Sequence, residues 1–103
     1  MRSALNIKQQ VHEGAEVYAI IEGIPIALPS KAKYICQDRR GCWFFCTRRP
    51  RIKDGDWTPN KVPIQMINES GRLIAKVLIT SPNINWTKTL QTTIKRAQLP
   101  MQH

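Results

Sequence analysis

The sequence predicts a mainly β protein, a β-rich α+β domain in which five to six strands make a small curved sheet or barrel and one helix follows on the C-terminal side. Three observations predict it. Runs of β-branched and aromatic residues, such as "VYAII" and "CWFFC", have the length of strands rather than helices. Turn-forming residues punctuate them at short intervals, at Glu22-Gly23, Asp38 to Gly41 and Asn68 to Gly71. Apolar residues four apart occur late, at Trp86, Leu90 and Ile94. A length of 103 residues suits one domain spanning 1–103, with 1–13 and 98–103 as flexible ends.

In chain order, Glu16 to Ile21 reads as a strand interrupted by Glu22-Gly23, and Ile24 to Leu28 continues it as a hairpin arm or a bent strand. Ile24, Ile26 and Leu28 share one face, so Pro25 must sit where no ladder N–H is needed. Ala32 to Gln37 and Cys42 to Arg48 flank "DRRG", in which Asp38 bonds the backbone ahead and Gly41 accepts a left-handed conformation. Arg49 to Asn60, with two prolines and Asp54-Gly55, reads as a long exposed connection from which Trp57 tucks back as an anchor. Val62 to Ile67 and Arg72 to Thr80 form a second hairpin, and near-continuous hydrophobicity makes the latter a central strand covered on both faces. Trp86 to Ala97 is the helix, capped by Asn85 and closed by Lys95 and Arg96; its threonines speak against it, leaving an extended tail that packs Trp86 as the alternative.

Charge dominates the composition. Sixteen Lys and Arg against seven Asp and Glu leave +9, more than solubility requires of a chain this small, and draw it to polyanions. Half of the cations lie between Lys31 and Lys53: Lys31, Lys33, Arg39, Arg40, Arg48, Arg49, Arg51 and Lys53. On a hairpin, Arg39 and Arg40 form a basic tip. Lys31, Lys33, Arg48, Arg49, Arg51 and Lys53 form a basic base about 15–20 Å away, a separation that bridges phosphates. Arginine suits this role because its planar fork bonds phosphate at two points and stacks on bases. Trp43 is the candidate stacking ring, and Phe45 shares its face; the competing reading buries both in the core.

Other chemistries find little support. Cys36, Cys42 and Cys46 lack a CxxC pair, and His12 and His103 lie far off, so reduced thiols packed among aromatics are favoured over zinc. Asp54 and Asp56 around a glycine read as a polar turn rather than a calcium loop. No nucleophile motif, phosphate loop or dinucleotide fingerprint occurs, which points to a non-enzyme without cofactors. No apolar run approaches the length of a membrane span or signal-peptide core, so a cytoplasmic protein is expected.

The stretch "PSKAKYICQDRRGCWFFCTRRPRIKDGDW" resembles a module of small, mostly uncharacterised proteins of tailed bacteriophages and prophages. The shared positions are Ala32, Asp38, Gly41, Trp43, Phe45, Pro50, Gly55 and Trp57, and Asn85 to Leu90 resembles the aromatic-leucine segment that follows. The resemblance implies an accessory protein acting in the host cytoplasm on nucleic-acid machinery or against defence enzymes. The abundance of arginine and lack of an acidic run depart from that pattern and argue against DNA mimicry. The leading expectation is a nucleic-acid binder. The alternatives are an inhibitor or adaptor docking the same face on an acidic protein, and a virion or assembly component.

Overall fold

The computed structural model describes residues 14–68, 70 and 72–99. It is mainly β, as expected, and holds no α-helix among those residues. β1 (Val17–Ile21) and β2 (Ile24–Leu28) form an antiparallel hairpin. Glu22 and Gly23 both take positive φ, 52° and 79°, the turn whose twist matches the strands it joins. β2 is a sheet edge, and Pro25 there costs no ladder bond. β3 (Tyr34–Gln37) and β4 (Trp43–Cys46) form the second hairpin in the register Cys36 opposite Phe44, and β7 (Val62–Pro63) lies along β4.

The expected helix over Trp86 to Ala97 is replaced by a 3₁₀ turn at Trp86–Lys88, two short strands and a second 3₁₀ turn at Arg96–Gln98. β10 (Gln91–Thr92) pairs with β3, and β11 (Ile94–Lys95) pairs with β1. At the crossing between the sheets, Thr93 donates its N–H to the Lys33 carbonyl (3.0 Å) and its hydroxyl to the Ala32 carbonyl (2.9 Å). The β-branched run Thr92-Thr93-Ile94 prefers this extended path, and two free sheet edges offer it partners. One segment thus edges both sheets, β11-β1-β2 and β10-β3-β4-β7; they do not close into a barrel.

Of two more hairpins, the first corrects the expected layout and the second falls where it is expected, with shorter strands. β5 (Arg51–Lys53) and β6 (Asp56–Thr58) pair around Asp54-Gly55, so the expected exposed connection is itself a hairpin. β8 (Met66–Ile67) pairs with β9 (Leu73–Ala75), and Asn68 Oδ1 accepts from the N–H groups of Ser70 and Arg72. Glu69 and Gly71 of that turn lie outside the described residues. The Arg72 to Thr80 segment is not a central strand: β9 stops at Ala75, Leu73 and Ile74 are about half exposed, and of its apolar residues only Leu78 is fully buried. The expectation of flexible ends at 1–13 and 98–103 falls mostly outside the described residues; Gln98 and Leu99 belong to the last turn.

The core has two layers separated by the β3–β4 hairpin. Ile35, Trp43 and Phe45 face the first sheet and pack with Val17, Ala19, Ile21, Ile26, Leu28, Ile64 and Leu78. Cys36, Phe44 and Cys46 face the other way and pack under Trp57, with Tyr34, Cys42, Trp86 and Leu90 around them. Trp57 is the anchor the sequence suggests: it meets Trp86 edge-to-face at 6.2 Å and donates Nε1–H to the Gln37 carbonyl at 2.8 Å. Where β4 meets the later chain, Trp43 N–H donates to the Leu78 carbonyl, Leu78 N–H to Ile64, and Ile64 N–H back to Trp43, a closed ring of backbone bonds at 2.7–3.1 Å.

A buried polar knot sits beside that ring. Gln37 Nε2 donates to Thr80 Oγ1 (3.0 Å) and to the carbonyls of Gly41 and Ser81 (3.2 Å each), while Trp43 Nε1 donates to the same Thr80 oxygen at 2.8 Å. Thr80→Val should strand the Trp43 indole N–H, leave Gln37 Nε2 only its two carbonyl partners, and lower unfolding free energy by about 1–3 kcal/mol, with Thr80→Ser much milder, as read by denaturant titration. Gly41 has φ +96°, and a Cβ there would stand 2.2 Å from the Thr80 carbonyl oxygen. Gly41→Ala should therefore cost about 3 kcal/mol or more, whereas Gly23→Ala, which meets nothing within 4 Å, should cost about 1–2 kcal/mol for the backbone conformation alone.

Candidate nucleic-acid interface

At the hairpin tip, Asp38 organises the turn as its sequence position suggests. Oδ1 accepts from the N–H groups of Arg40 (2.9 Å) and Cys42 (3.0 Å), and the Gly41 N–H closes onto the Asp38 carbonyl at 3.1 Å. The other carboxylate oxygen takes the Arg40 guanidinium through both Nε (3.3 Å) and Nη2 (3.0 Å). The tip therefore differs from the expected pair of free arginines. Arg40 is committed to an internal carboxylate, which raises its pKa further. Arg39 is exposed and lies over the β5–β6 turn, where a Cβ on Gly55 would stand 3.3 Å from its guanidinium. At the tip, Asp38 therefore compensates Arg40, while Arg39 has no ion pair among the described residues.

The base of the hairpin is different. Residues 30–33 enter β3 there, residues 47–49 leave β4, and the crossing strand 92–95 passes beside them. Together they enclose an open cleft of about 580 Å³. Lys33, Arg48 and Arg49 line it as predicted neighbours, and Lys95 joins them from β11. Ser30, Thr47, Thr92 and Thr93 add hydroxyl-bearing side chains, and Tyr34 forms part of the wall with the Arg49 guanidinium 5.9 Å from its ring centre. Among the described residues, carboxylates pair with Arg40 and Lys61 and with none of these four cations.

From the cleft the charge continues along β5. Arg51 and Lys53 are exposed and two residues apart, hence on one side of that strand, and the following turn reaches Arg39. The base and tip of the hairpin are thus joined by a basic edge about 15 Å long. Lys31 is not part of it. It lines a second cleft of about 590 Å³, opposite in character, walled by Leu28, Phe45, Val62, Ile64 and Ile67 and bordered by Lys76.

Trp43 is corrected as a stacking ring. It is 8% exposed, its indole N–H is taken by Thr80, and Phe45 is equally buried. The first sheet covers this face of β4 while Trp57 and Trp86 cover the other, so none of the three consecutive aromatics reaches solvent. Two cleft residues escaped sequence reading. In the sequence Lys95 falls at the end of the expected helix, and Tyr34 lies within the expected strand Ala32 to Gln37. The signal for both was the β-branched run at 92–94, which brings Lys95 alongside β1 and edges β3 at Tyr34.

The thiols belong to the second core layer. Cys36 and Cys46 are buried and hydrogen-bonded to one another, and that bond together with burial pushes the Cys36 thiol far above the ordinary range. Cys42, partly exposed, is raised by burial and by nearby Asp38. No three His, Cys, Asp or Glu side chains converge as metal ligands among the described residues. Asp56 is occupied: it accepts the Trp57 N–H at 2.8 Å and pairs with Lys61, whose ammonium also stands 4.7 Å from the Phe44 ring centre. Burial acts to raise the Asp56 pKa, but the bonds from Lys61 and the Trp57 N–H outweigh it and leave the carboxyl below its usual value.

Among the described residues no helix is long and apolar enough to cross a membrane. Set against known protein families, curated proteins and solved structures, the chain has no match.

Two outcomes follow from these environments. In native protein a thiol reagent should modify Cys42 slowly and leave Cys36 and Cys46 untouched until denaturant exposes all three; rapid native labelling of Cys36 would contradict the packing. Because Asp56 has a lowered pKa in the folded state, its stabilising contribution is present above the unfolded carboxyl value near 4 and fades as pH falls through the folded one. Asp56→Asn should therefore flatten the acid limb of the stability–pH curve and change little near neutrality beyond a constant offset.

Proposed function

We propose that this chain is a non-enzymatic accessory protein, of the phage or prophage type its hairpin resembles, that binds nucleic acid through the cleft at the base of that hairpin. The observation that carries the reading is the convergence of Lys33, Arg48, Arg49 and Lys95 on one concavity without a carboxylate partner for any of them among the described residues. Like charges held together cost energy unless a counter-ion offsets them, and a phosphate chain is the polyanion that suits several cations along a surface. Ser30, Thr47 and Thr92 of the wall offer hydroxyl donors of the kind that position a backbone. Arg51, Lys53 and Arg39 extend the track, and the compensated Arg40 contributes least.

A second reading has its own observation. The cleft bordered by Lys31 and Lys76 is chiefly apolar, and Val62 is 41% exposed beside it, a combination that suits an acidic protein segment with apolar anchors. The two readings separate by mutation. For nucleic acid, the logarithm of affinity should fall linearly with the logarithm of salt, with a slope of about 3 to 4 if four phosphates are neutralised. Arg48→Ala with Arg49→Ala should reduce that slope by about 1.5 without altering the unfolding midpoint, and Lys31→Ala with Lys76→Ala should leave it unchanged. No binding to any oligonucleotide, with capture of a protein partner lost on changing Lys31 and Lys76, would replace the first reading by the second.

A further inference from the structure

We infer that the cleft takes a single strand rather than a duplex, with one base stacked on the Tyr34 ring in the place the Arg49 guanidinium now occupies. The inference rests on the nucleic-acid reading above and names its substrate class.

Shape is the first argument. Duplex readers present a protruding helix or ribbon to a groove, whereas here the unpaired cations line a hollow. A hollow of this size admits a short stretch of unstacked strand and not the width of a double helix. The second argument is the ring itself. Among the aromatic residues of the sheets, Tyr18, Trp43, Phe44, Phe45 and Trp57 are buried, while Tyr34 is only half-buried and borders the cleft. It sits on β3 with Cys46 paired on one side and Thr92 on the other, so the platform is held before any ligand arrives.

Arg49 supplies the third argument. Its guanidinium lies over the Tyr34 ring, but at 5.9 Å, near the outer limit for such a contact, and the residue is exposed. A solvated cation at that distance is a weak occupant, and a base on an aromatic face is held more strongly. Exchange frees the guanidinium to meet the phosphate of the incoming nucleotide, with Lys33, Arg48 and Lys95 on the neighbouring phosphates. Sequence preference is expected to be slight, since every base offers a face.

The test uses the full chain with a short oligothymidine strand carrying one 2-aminopurine, a duplex of equal length, and thymidine monophosphate. The strand is expected to bind at least about tenfold tighter than the duplex or the mononucleotide, with 2-aminopurine fluorescence quenched on binding. Tyr34→Leu, which keeps apolar bulk against the second core layer, should weaken strand binding by roughly tenfold and abolish the quench while leaving the salt slope in place. Tyr34→Phe should retain both affinity and quench. Equal strand affinity and quench in Tyr34→Leu, or duplex or mononucleotide binding as tight as the strand, would overturn this inference while a salt-dependent affinity left nucleic-acid binding standing. Failure of every oligonucleotide to bind would remove the nucleic-acid reading itself.

Discussion

The buried Gln37 amide is the constraint on which the rest of this structure depends. It sits at the end of β3, and its Nε2 reaches Thr80, Gly41 and Ser81, so the turn that opens β4 is tied to a segment some forty residues later. The same residue's backbone accepts from Trp57 and donates to Thr89 Oγ1, which ties in the β5–β6 hairpin and the turn before β10. Four chain segments thus meet at one residue. Buried amides are costly when unsatisfied and specific when satisfied, and the Nε2 of this one has three acceptors within 3.2 Å. The absence of a side chain at Gly41 is what lets the Thr80 backbone come close enough to complete the arrangement.

That knot explains why cations of one hairpin play unequal parts. At the tip, where backbone geometry is most demanding, a buried carboxylate is needed to satisfy the N–H groups of Arg40 and Cys42, and it takes the Arg40 side chain with it. The aspartates of the adjoining turn add to the negative potential there. At the base no turn needs a carboxylate: strand pairing satisfies the backbone, and the threonines of the crossing segment serve as its polar partners. Structural demand for acid at one end and its lack at the other leave an uneven field on a chain that, in composition, is simply basic.

Much of this was legible in the residues. Asp38 and Gly41 marked a turn by chemistry that depends on near neighbours alone, and the shared face of Phe44 and Cys46 followed from the twofold period of strands, whereas Cys36 joins that layer only through the register that sets it opposite Phe44. Of the charges between Lys31 and Lys53, Lys33, Arg48 and Arg49 come together at one cleft, while Lys31 lies at another and Arg40 pairs with Asp38. What failed were inferences that need tertiary partners. The four-residue spacing of Trp86, Leu90 and Ile94 imitates a helix, but Trp86 and Leu90 pack on the second core layer while Ile94 pairs with Tyr18 in the other sheet. Asp54-Gly55 carried a hairpin signal of its own, masked by prolines and charged residues on either side. Trp43 could be placed on a strand but not judged exposed or buried, because the groups that cover β4 arrive from opposite ends of the chain.

The segment that edges both sheets also bears on how the chain acquires its form. Each hairpin closes between near neighbours, but Val17 meets Lys95 and Tyr34 meets Thr92 only after the long segments that separate them have been made. Contacts so distant in sequence impose a large loop-closure entropy before they return any stabilisation, which slows the final step. Until then β1 and β3 each present an open edge of unpaired amides, the kind of surface on which nascent chains associate. A strong net positive charge makes such half-finished molecules repel one another, which opposes their association.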